Sequence, residues 1–195
     1  PVMVCADGMI GQMLEPVEFP TEGRGEPMAE NSWALTGAEG RERRIVNSLY
    51  LSPEDLNDHN LKLKAKYDFI AKKEVRHELY GVTEEPELLL VAFGTMARIC
   101  KSAIDDLVAQ GEKVALFRPI TLKPWPYEAC RAAMDSLVPD APVLNVEMSM
   151  GQMIDDVRLA AEGSRRIEFL GAAGGVVPSP EEVTAKIREL LPTRA

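Results

Sequence analysis

Hydrophobic residues in the second half of the chain alternate between short continuous runs and helical stripes. The runs cover residues 87–93, 113–118, 143–147 and 167–170. Continuous apolar runs of this length are typical of strands in a parallel sheet that is covered on both faces. Between and after the runs, apolar residues recur at spacings of three and four, as on one face of a helix. Residues 86–195 therefore predict a β-α-β-α-β-α-β-α order, which is an α/β fold with a mostly parallel sheet and flanking helices.

Capping signals mark the beginning of three predicted helices. Residues 52–55 (Ser-Pro-Glu-Asp) combine a capping hydroxyl, a proline suited to the first turn and acidic groups at the positive end of the helix dipole. Residues 149–152 and 179–182 each place a serine three positions before a glutamine or glutamate, which is the spacing of a capping box. Gly111 is expected to end the first helix of the second half, because glycine suits the left-handed conformation found there.

The helix that begins near Ser52 carries an apolar stripe on an otherwise charged surface. It is predicted to continue to about His77 and to end before Gly81. Both histidines of the chain, His59 and His77, are therefore expected on an exposed helix face. The stripe consists of Leu56, Leu63, Tyr67 and Ile70.

The first 50 residues are less regular. Residues 1–6 are predicted to form an apolar strand, which leads into a turn and a short helix or irregular segment at residues 7–12. Residues 21–44 are rich in glycine, glutamate and arginine without periodicity, which indicates a linker or an arm lying on another surface. Trp33 lies in this arm, and because a large aromatic side chain gains most from burial, the arm is expected to be docked.

Composition and charge exclude several functional classes. Hydrophobic residues make up 46% and charged residues 27%, which is normal for a globular, water-soluble protein, and no apolar run reaches the roughly 20 residues that span a bilayer. The net charge of −9 argues against nucleic-acid binding, which requires clustered lysine and arginine. Cys5, Cys100 and Cys130 are too widely spaced for a disulfide framework or a metal site, which predicts a cytoplasmic location and no metal bound by this chain.

Candidate ligand contacts in such a fold lie where the parallel strands end. These positions are residues 94–96, 118–119, 147–149 and 171–175. None of them contains a phosphate-binding glycine motif. With two histidines, both in a segment predicted to be helical, a Ser/His/Asp or Cys/His arrangement is not expected either.

Glu147 and a group of methionines stand out at the end of the third strand. Glu147 is either a carboxylate of an interface or site, or the partner of a cation such as Arg118, and the ion pair is the favoured interpretation. Met148, Met150 and Met153 are expected to pack in the core, with a protein–protein interface as the alternative.

Five stretches of unusual sequence follow one another along almost the whole chain. They are residues 6–13 (ADGMIGQM) with 15–17 (EPV), 33–37 (WALTG), 94–99 (GTMARI), 118–122 (RPITL) and 145–153 (NVEMSMGQM). In this order they resemble the alpha subunit of 2-oxoacid:ferredoxin oxidoreductases, particularly the branched-chain 2-oxoisovalerate type. Several long matches in register are more specific than any single glycine motif.

The resemblance implies an enzyme that decarboxylates a 2-oxoacid with thiamine diphosphate, passes electrons through iron–sulfur clusters to ferredoxin and forms an acyl-CoA. It also implies that this chain is the C-terminal part of the alpha subunit, with a structural and assembly role and no activity alone. Residues 1–20 would end a truncated thiamine-pyrimidine-type domain. Residues 21–85 would form a linker arm and connecting helix, and residues 86–195 a transketolase C-terminal-like α/β domain.

The resemblance assigns no catalytic residue and no bound cofactor to this chain, because the thiamine-facing acid and the substrate-binding residues are expected before Pro1. Thiamine diphosphate, Mg, iron–sulfur clusters and CoA would belong to the complete enzyme. The expected partners are the thiamine-diphosphate-binding beta, the gamma and the ferredoxin-like delta subunits, with ferredoxin reached through the complex. Asp7, Gly8 and Gln12 are the candidates nearest to the thiamine-site interface.

Two other interpretations remain open, namely a free-standing α/β interaction or nucleotide-binding module and a complete enzyme. The long arm at residues 21–50 favours an obligate subunit, because a self-sufficient module has little use for it. A truncated first domain would also leave apolar surface exposed around residues 1–10. The sequence does not determine which 2-oxoacid is used.

Overall fold

The structure, a computed structural model, describes residues 2–19, 21, 31–82 and 84–192. It divides into two compact units, one formed by Pro1–Gln12 with Tyr67–Ala195 and the other by Met13–Lys66. Among the described residues, no helix is long and apolar enough to cross a membrane.

The α/β unit contains a sheet and its covering helices. The strands are β1 (His77–Gly81), β2 (Leu88–Val91), β3 (Val114–Pro119), β4 (Val143–Glu147) and β5 (Ile167–Gly171). The helices are α1 (Pro53–Lys73), which begins in the other unit, α2 (Gly94–Ala109), α3 (Tyr127–Asp135), α4 (Met153–Ala161) and α5 (Pro180–Leu190), with a short 3-10 helix at Ile10–Gln12.

The five strands lie in the order β1-β3-β2-β4-β5. β1 runs antiparallel to β3, and all other neighbours are parallel. β2 lies at the centre, and each of its four residues is buried, which explains its continuous apolar sequence. The predicted α/β class with a mostly parallel sheet is confirmed.

Alternation along the strands divides the core between the two faces of the sheet. Leu88 and Leu90 pack in one cluster with side chains of α2 and α5. Leu89 and Val91 point the opposite way, into a second cluster with side chains of α3 and α4. Each fully buried leucine contributes about 1.5–3 kcal/mol relative to an exposed one, so both faces hold the central strand in place.

Several predicted helix boundaries are confirmed. Ser52 precedes α1, and its hydroxyl accepts a hydrogen bond from the Asp55 amide. Ser179 and Glu182 form a complete capping box at the start of α5. Gly111 follows α2 with a left-handed φ of +88°.

The first strand was missed by the sequence analysis. α1 ends at Lys73 rather than near His77, and His77–Gly81 forms β1. His77 thus lies in a strand, where its ring stacks on Phe117 with centroids 5.3 Å apart. The ladder partners of β1 come from Ala115–Pro119, so distant pairing overrides the local helical pattern.

An ionic cluster fastens β1 to the rest of the sheet. Glu78 accepts hydrogen bonds from Lys101 at 2.6 Å and from Arg118 at 3.0 Å. The Lys101 hydrogen bond is the main reason that the pKa of Glu78 is lowered. The expected pairing of Arg118 with Glu147 is therefore wrong, because Arg118 points to the edge strand.

Residues near the start of the chain also differ from expectation. Pro1 lies outside the described residues, and residues 2–6 form no strand, with Val2 92% and Val4 90% exposed. A strand requires neighbours for its backbone groups, and no described residue supplies a ladder here. The apolar exposure expected around residues 1–10 is present.

The second unit, Met13–Lys66, contains the arm and the beginning of α1. Residues 22–30 of the predicted arm lie outside the described residues. Within the unit, Arg44 donates a hydrogen bond to the Ala34 carbonyl, and Tyr50 stacks on His59. Trp33 is 64% exposed, so the expected docking of the arm stays a prediction.

Two glycines with similar φ angles allow a test of how closely β1 packs against β3. A Cβ on Gly81 (φ +83°) would lie 2.6 Å from the Val114 carbonyl oxygen, whereas one on Gly163 (φ +77°) meets nothing within 4 Å. Both alanine substitutions carry the backbone cost of about 1–2 kcal/mol. We expect Gly81→Ala to lower the free energy of unfolding, measured with urea, by about 1–3 kcal/mol more than Gly163→Ala. Equal losses would contradict the tight pairing of β1 with β3.

Candidate functional site

A half-open hollow lies at the edge of the sheet where the parallel strands end. Its volume is about 380 Å³. We refer to it as the edge hollow. The lining residues are Asp7, Phe93, Leu122, Trp125, Glu147, Met148, Ser149, Gln152, Met153 and Asp156. The carboxyl ends of parallel strands are the usual location of ligand sites in this fold class, so the edge hollow is the first place to look for function.

Glu147 ends β4 and is 2% exposed, yet its carboxylate is fully engaged. It accepts hydrogen bonds from the backbone amides of Gln152, Met153 and Ile154, at 2.9–3.2 Å. The side chains of Asn145 and Ser149 donate two more, at 2.8 and 2.9 Å. The carboxylate thus occupies the N-terminal end of α4, where free amides and the helix dipole favour a negative charge.

Opposing effects act on the ionisation of Glu147. Burial is the largest single influence and raises its pKa. Hydrogen bonds from the Met153 and Gln152 amides, followed by those from Ser149 and Asn145, together outweigh burial. The pKa of Glu147 is therefore lowered, and the side chain is a buried, ionised anchor at neutral pH.

This anchor replaces the capping box expected at residues 149–152. α4 begins at Met153, and the side chain of Gln152 makes no capping hydrogen bond. Ser149 instead donates to Glu147 and accepts a hydrogen bond from the Gly151 amide at 3.1 Å. The expected box is wrong because the carboxylate at the end of the preceding strand already satisfies the amides that it would have capped.

The loop between β4 and α4 is also held from the side of β5. A Cβ on Gly171 would lie 2.6 Å from the Ser149 carbonyl oxygen, and Gly151 has a left-handed φ of +107°. Both positions therefore require glycine. Together with Glu147 they give this loop one conformation.

An aromatic wall on α3 and the loop before it closes another side. Trp125 is 5% exposed, and its ring lies 4.9 Å from that of Tyr127. Tyr127 donates a hydrogen bond to Asp156 on α4. This hydrogen bond is the main cause that raises the pKa of Tyr127 to about 12, because the phenol must stay protonated to donate it.

Of the three sequence candidates, only Asp7 lines the edge hollow. Its Oδ1 accepts a hydrogen bond from the Ile10 amide at 2.9 Å. The Thr95 hydroxyl and then this amide lower the pKa of Asp7. Thr95 is buried and, among the described residues, makes no hydrogen bond of ordinary geometry, so its effect on Asp7 is that of a nearby dipole. Gly8 and Gln12 are exposed and do not line the hollow.

The remaining candidates differ in whether they line the edge hollow. Met148 and Met153 line the hollow, whereas Met150 is 78% exposed, so core packing is the wrong expectation for Met150. Residues 171–175 and 118–119 do not line it. Sequence reasoning missed Trp125 and Asp156 as lining residues, because they come from the loop before α3 and from α4 rather than from strand ends.

The chemistry of the edge hollow is that of an acceptor for positive charge. Among the described residues, its lining includes three carboxylates and two aromatic rings but no lysine or arginine. In the part of the chain that the structure describes, no group of three or more metal-ligating side chains comes together. Cys100 and Cys130 are buried, and burial raises the pKa of each thiol to about 12, so neither is a reactive thiolate at neutral pH.

A family model described as pyruvate:ferredoxin oxidoreductase core domain II matches residues 86–183. These residues include β2 to β5 and α2 to α4. The match therefore falls on the sheet and on most of the edge hollow.

Two curated relatives illustrate the range of similarity. Ketoisovalerate oxidoreductase subunit VorB from Methanothermobacter marburgensis is 39% identical over 190 residues, which are 97% of this chain and 52% of the relative. The 2-oxoglutarate synthase subunit KorA from the same organism is 28% identical over 107 residues, which are 55% of this chain and 28% of the relative. The chain spans about half the length of the VorB relatives that it matches.

A solved structure shares the fold. It is the 2-oxoglutarate:ferredoxin oxidoreductase from Magnetococcus marinus with 2-oxoglutarate, coenzyme A and succinyl-CoA bound. The TM-score is 0.61 at 21% identity, covering 72% of this chain and 24% of the other. At this identity the likeness establishes the fold alone.

The hydrogen bonds of the Glu147 carboxylate lead to a prediction about how the free energy of unfolding depends on pH. Glu147→Gln keeps the shape but turns an amide NH₂ toward hydrogen-bond donors, so we expect the free energy of unfolding at neutral pH to fall by about 2–4 kcal/mol. Since the folded-state pKa is lowered, the stabilisation is present above the ordinary glutamate pKa and is lost as pH falls through the folded value.

Urea unfolding of both proteins between neutral pH and about pH 3 measures this difference, which should narrow on acidification. Glu189→Gln, at an exposed position that pairs with Lys186 on the same helix, is the control and should change little. A Glu147→Gln protein as stable as the wild type would contradict the anchor.

Proposed function

Because the chain belongs to the pyruvate:ferredoxin oxidoreductase core domain II family, we propose that it forms part of a subunit of a thiamine-diphosphate-dependent 2-oxoacid:ferredoxin oxidoreductase. The observation that carries the proposal is the 39% identity to a ketoisovalerate oxidoreductase subunit along 97% of the chain. The reaction would be the oxidative decarboxylation of a 2-oxoacid to an acyl-CoA, with reduction of ferredoxin.

We propose 2-oxoisovalerate as the substrate of the complete enzyme. The proposal is supported by the names of the two relatives that are 38–39% identical along 97% of the chain, which are both ketoisovalerate oxidoreductase subunits. The 2-oxoglutarate synthase subunits are less similar, at 25–29% identity. The choice between branched-chain and dicarboxylic 2-oxoacids is therefore the one that the experiment below decides.

We assign the chain to the alpha subunit, as the sequence motifs suggest. The relatives carry different subunit letters, VorB and KorA, although both align with this chain, so the letter does not identify the role. The assignment rests on the order of the motifs and awaits a test in the assembled enzyme.

The role that we propose for this part of the subunit is structural. The edge hollow does not fit thiamine diphosphate or CoA, because its three carboxylates would repel their phosphates and no lysine or arginine of the described residues lines it. The two buried thiols, each with its pKa raised to about 12, do not fit an iron–sulfur cluster, which requires thiolates. These cofactors, with Mg, would be held elsewhere in the complete enzyme by its other parts and by the beta, gamma and delta subunits.

We further propose that Asp7, Gly8 and Gln12 lie near the interface with the thiamine site, and that residues 1–20 continue a thiamine-pyrimidine-type domain. The proposal is supported by the polar turn at residues 7–9 and by the exposed apolar side chains before it. Asp7 is also the one member of the trio that reaches the edge hollow.

The test of the proposed function is 2-oxoacid-dependent reduction of a viologen dye with thiamine diphosphate and CoA present. We expect no turnover from this chain alone, and turnover from the full-length subunit expressed with the subunits encoded beside it. 2-Oxoisovalerate should give the highest kcat/KM among branched-chain, aryl, pyruvate and 2-oxoglutarate substrates. An assembled, cluster-loaded complex that turns over none of them would contradict the proposal and favour a binding module.

Gln12 tests the proposed interface in the same complex. Gln12→Ala should lower assembly or turnover, since an exposed polar side chain at an interface loses its partner. Gln110→Ala is the matched control, because Gln110 caps the far end of α2, at the opposite edge of the sheet. If the Gln12→Ala complex assembles and turns over like the control, Gln12 does not contribute to the interface.

A further inference from the structure

We propose that another subunit of the complex docks on the carboxyl edge of the sheet and inserts an arginine or lysine side chain into the edge hollow. The inference rests on the proposed function, in that it requires a multi-subunit assembly. It adds the place on this chain where a partner binds and the chemistry that the partner presents.

The charge of the edge hollow is the first observation that favours a cationic partner group. Asp7, Glu147 and Asp156 line it without a lysine or arginine among the lining residues. The carboxylate oxygens of Glu147 are already engaged by five hydrogen-bond donors and have little capacity for another. Asp7 accepts a hydrogen bond from the Ile10 amide and Asp156 accepts one from the Tyr127 phenol, and neither donor carries a positive charge. A cation entering there meets two carboxylates with no competing positive group.

The walls of the hollow favour an arginine or lysine side chain over a bare inorganic cation. The rings of Phe93 and Trp125 line it and offer faces to a guanidinium or ammonium group. The methionine side chains of Met148 and Met153 provide an apolar, adaptable surface for the carbon stem. Trp125 is 5% exposed, and within the described residues its buried indole N–H has no hydrogen-bond partner, which is unusual for a buried donor.

The surface around the hollow indicates that the cation belongs to a protein. Leu122 and Tyr127, 42% and 39% exposed, adjoin the aromatic wall, and Met150, 78% exposed, lies on the loop after β4. Ile120, on the same loop as Leu122, is 51% exposed. A small amine would fill the hollow and leave these side chains in water, whereas a protein surface covers them while its basic side chain enters. Arginine is one of the residues enriched at interaction hot spots, where it fills a pocket that the surrounding contacts shield from water.

The loop that presents Met150 is held in place before any partner arrives. Glu147, Ser149, Gly151 and Gly171 restrict it to one conformation, as the close approaches and hydrogen bonds above require. A preformed surface loses little conformational entropy on binding, so more of the contact energy is available for association.

Two neighbouring aspartates on α4 provide a matched test in the full-length subunit. Asp156 lines the edge hollow, whereas Asp155 is 75% exposed and pairs with Arg158 on its own helix. Asp156→Asn keeps an oxygen acceptor for Tyr127 and removes the charge, and Asp156→Arg reverses it. Asp155→Asn and Asp155→Arg make the same changes of charge on the same helix, outside the hollow. Circular dichroism of each free subunit checks that the fold is retained.

The measurement is the dissociation constant between the full-length subunit and its co-expressed partner subunits, at low and at physiological salt. We expect Asp156→Arg to weaken association at least about tenfold, and Asp156→Asn to weaken it less. The Asp155 variants should remain within about twofold of the wild type. Added salt should reduce the difference between the wild type and Asp156→Asn.

Equal affinities for the Asp156 and Asp155 variants would overturn the proposal. Light scattering of the subunit alone could also contradict it. If the wild type dimerises and Asp156→Arg does not, the edge hollow binds a second copy of this chain instead of another subunit. The proposal would also be overturned if a free alkylamine saturates the edge hollow while the partner subunits remain bound. If the wild-type complex assembles but turns over no 2-oxoacid, the proposed function fails while the Asp156 comparison still reports on docking.

Discussion

The buried carboxylate of Glu147 is the interaction on which the carboxyl edge of this sheet depends. It lies at the end of β4, where α4 begins with free amides, and it gathers three of those amides and two side-chain donors. An ionised group in such a place is tolerated only when its lone pairs are satisfied. The same bonds that make the charge tolerable also determine where α4 starts and which way the loop before it turns.

This constraint shapes the surface as well as the interior. Because the oxygens of Glu147 are already engaged by hydrogen-bond donors, the carboxylates of the edge hollow that can take a further partner are Asp7 and Asp156, which belong to the N-terminal segment and to α4. Because the loop after β4 is fixed, Met150 stays exposed instead of collapsing into the core. The edge therefore combines charge, aromatic rings and exposed apolar side chains, and the described residues that line it include none of the cations that a phosphate-bearing cofactor would require.

Continuous apolar runs and helical stripes of period 3.6 were sufficient to predict most of the α/β unit. Residues 143–147 form β4 as predicted, and the Ser179–Glu182 box starts α5 because both of its members are local. β1 was missed because its partners lie on β3, more than 30 residues along the chain, and the same residues continue a helical pattern. The box at Ser149 was predicted in error because spacing alone does not reveal that a strand-end carboxylate already caps the helix.

The residues of the candidate site show the same contrast between features that a local pattern predicts and features that depend on distant contacts. That ligand contacts gather at strand ends is a rule of the fold class, and Glu147 and Ser149 were found by it. Asp156 and Trp125 lie off the strands, and their convergence depends on how α3 and α4 pack against each other, which no local pattern encodes. A signal was present in the acidic first turn of α4, although an acidic turn alone is equally typical of an ordinary helix start.

Family membership and the geometry of this edge are the basis of our proposal that this chain helps to hold an assembly together. A cryo-EM structure of the complete complex tests that account most directly. The account predicts that Glu147 keeps its donors and that a basic side chain from another subunit lies between Asp7, Asp156 and the aromatic wall. An edge hollow that faces solvent in an assembled, active complex would contradict it.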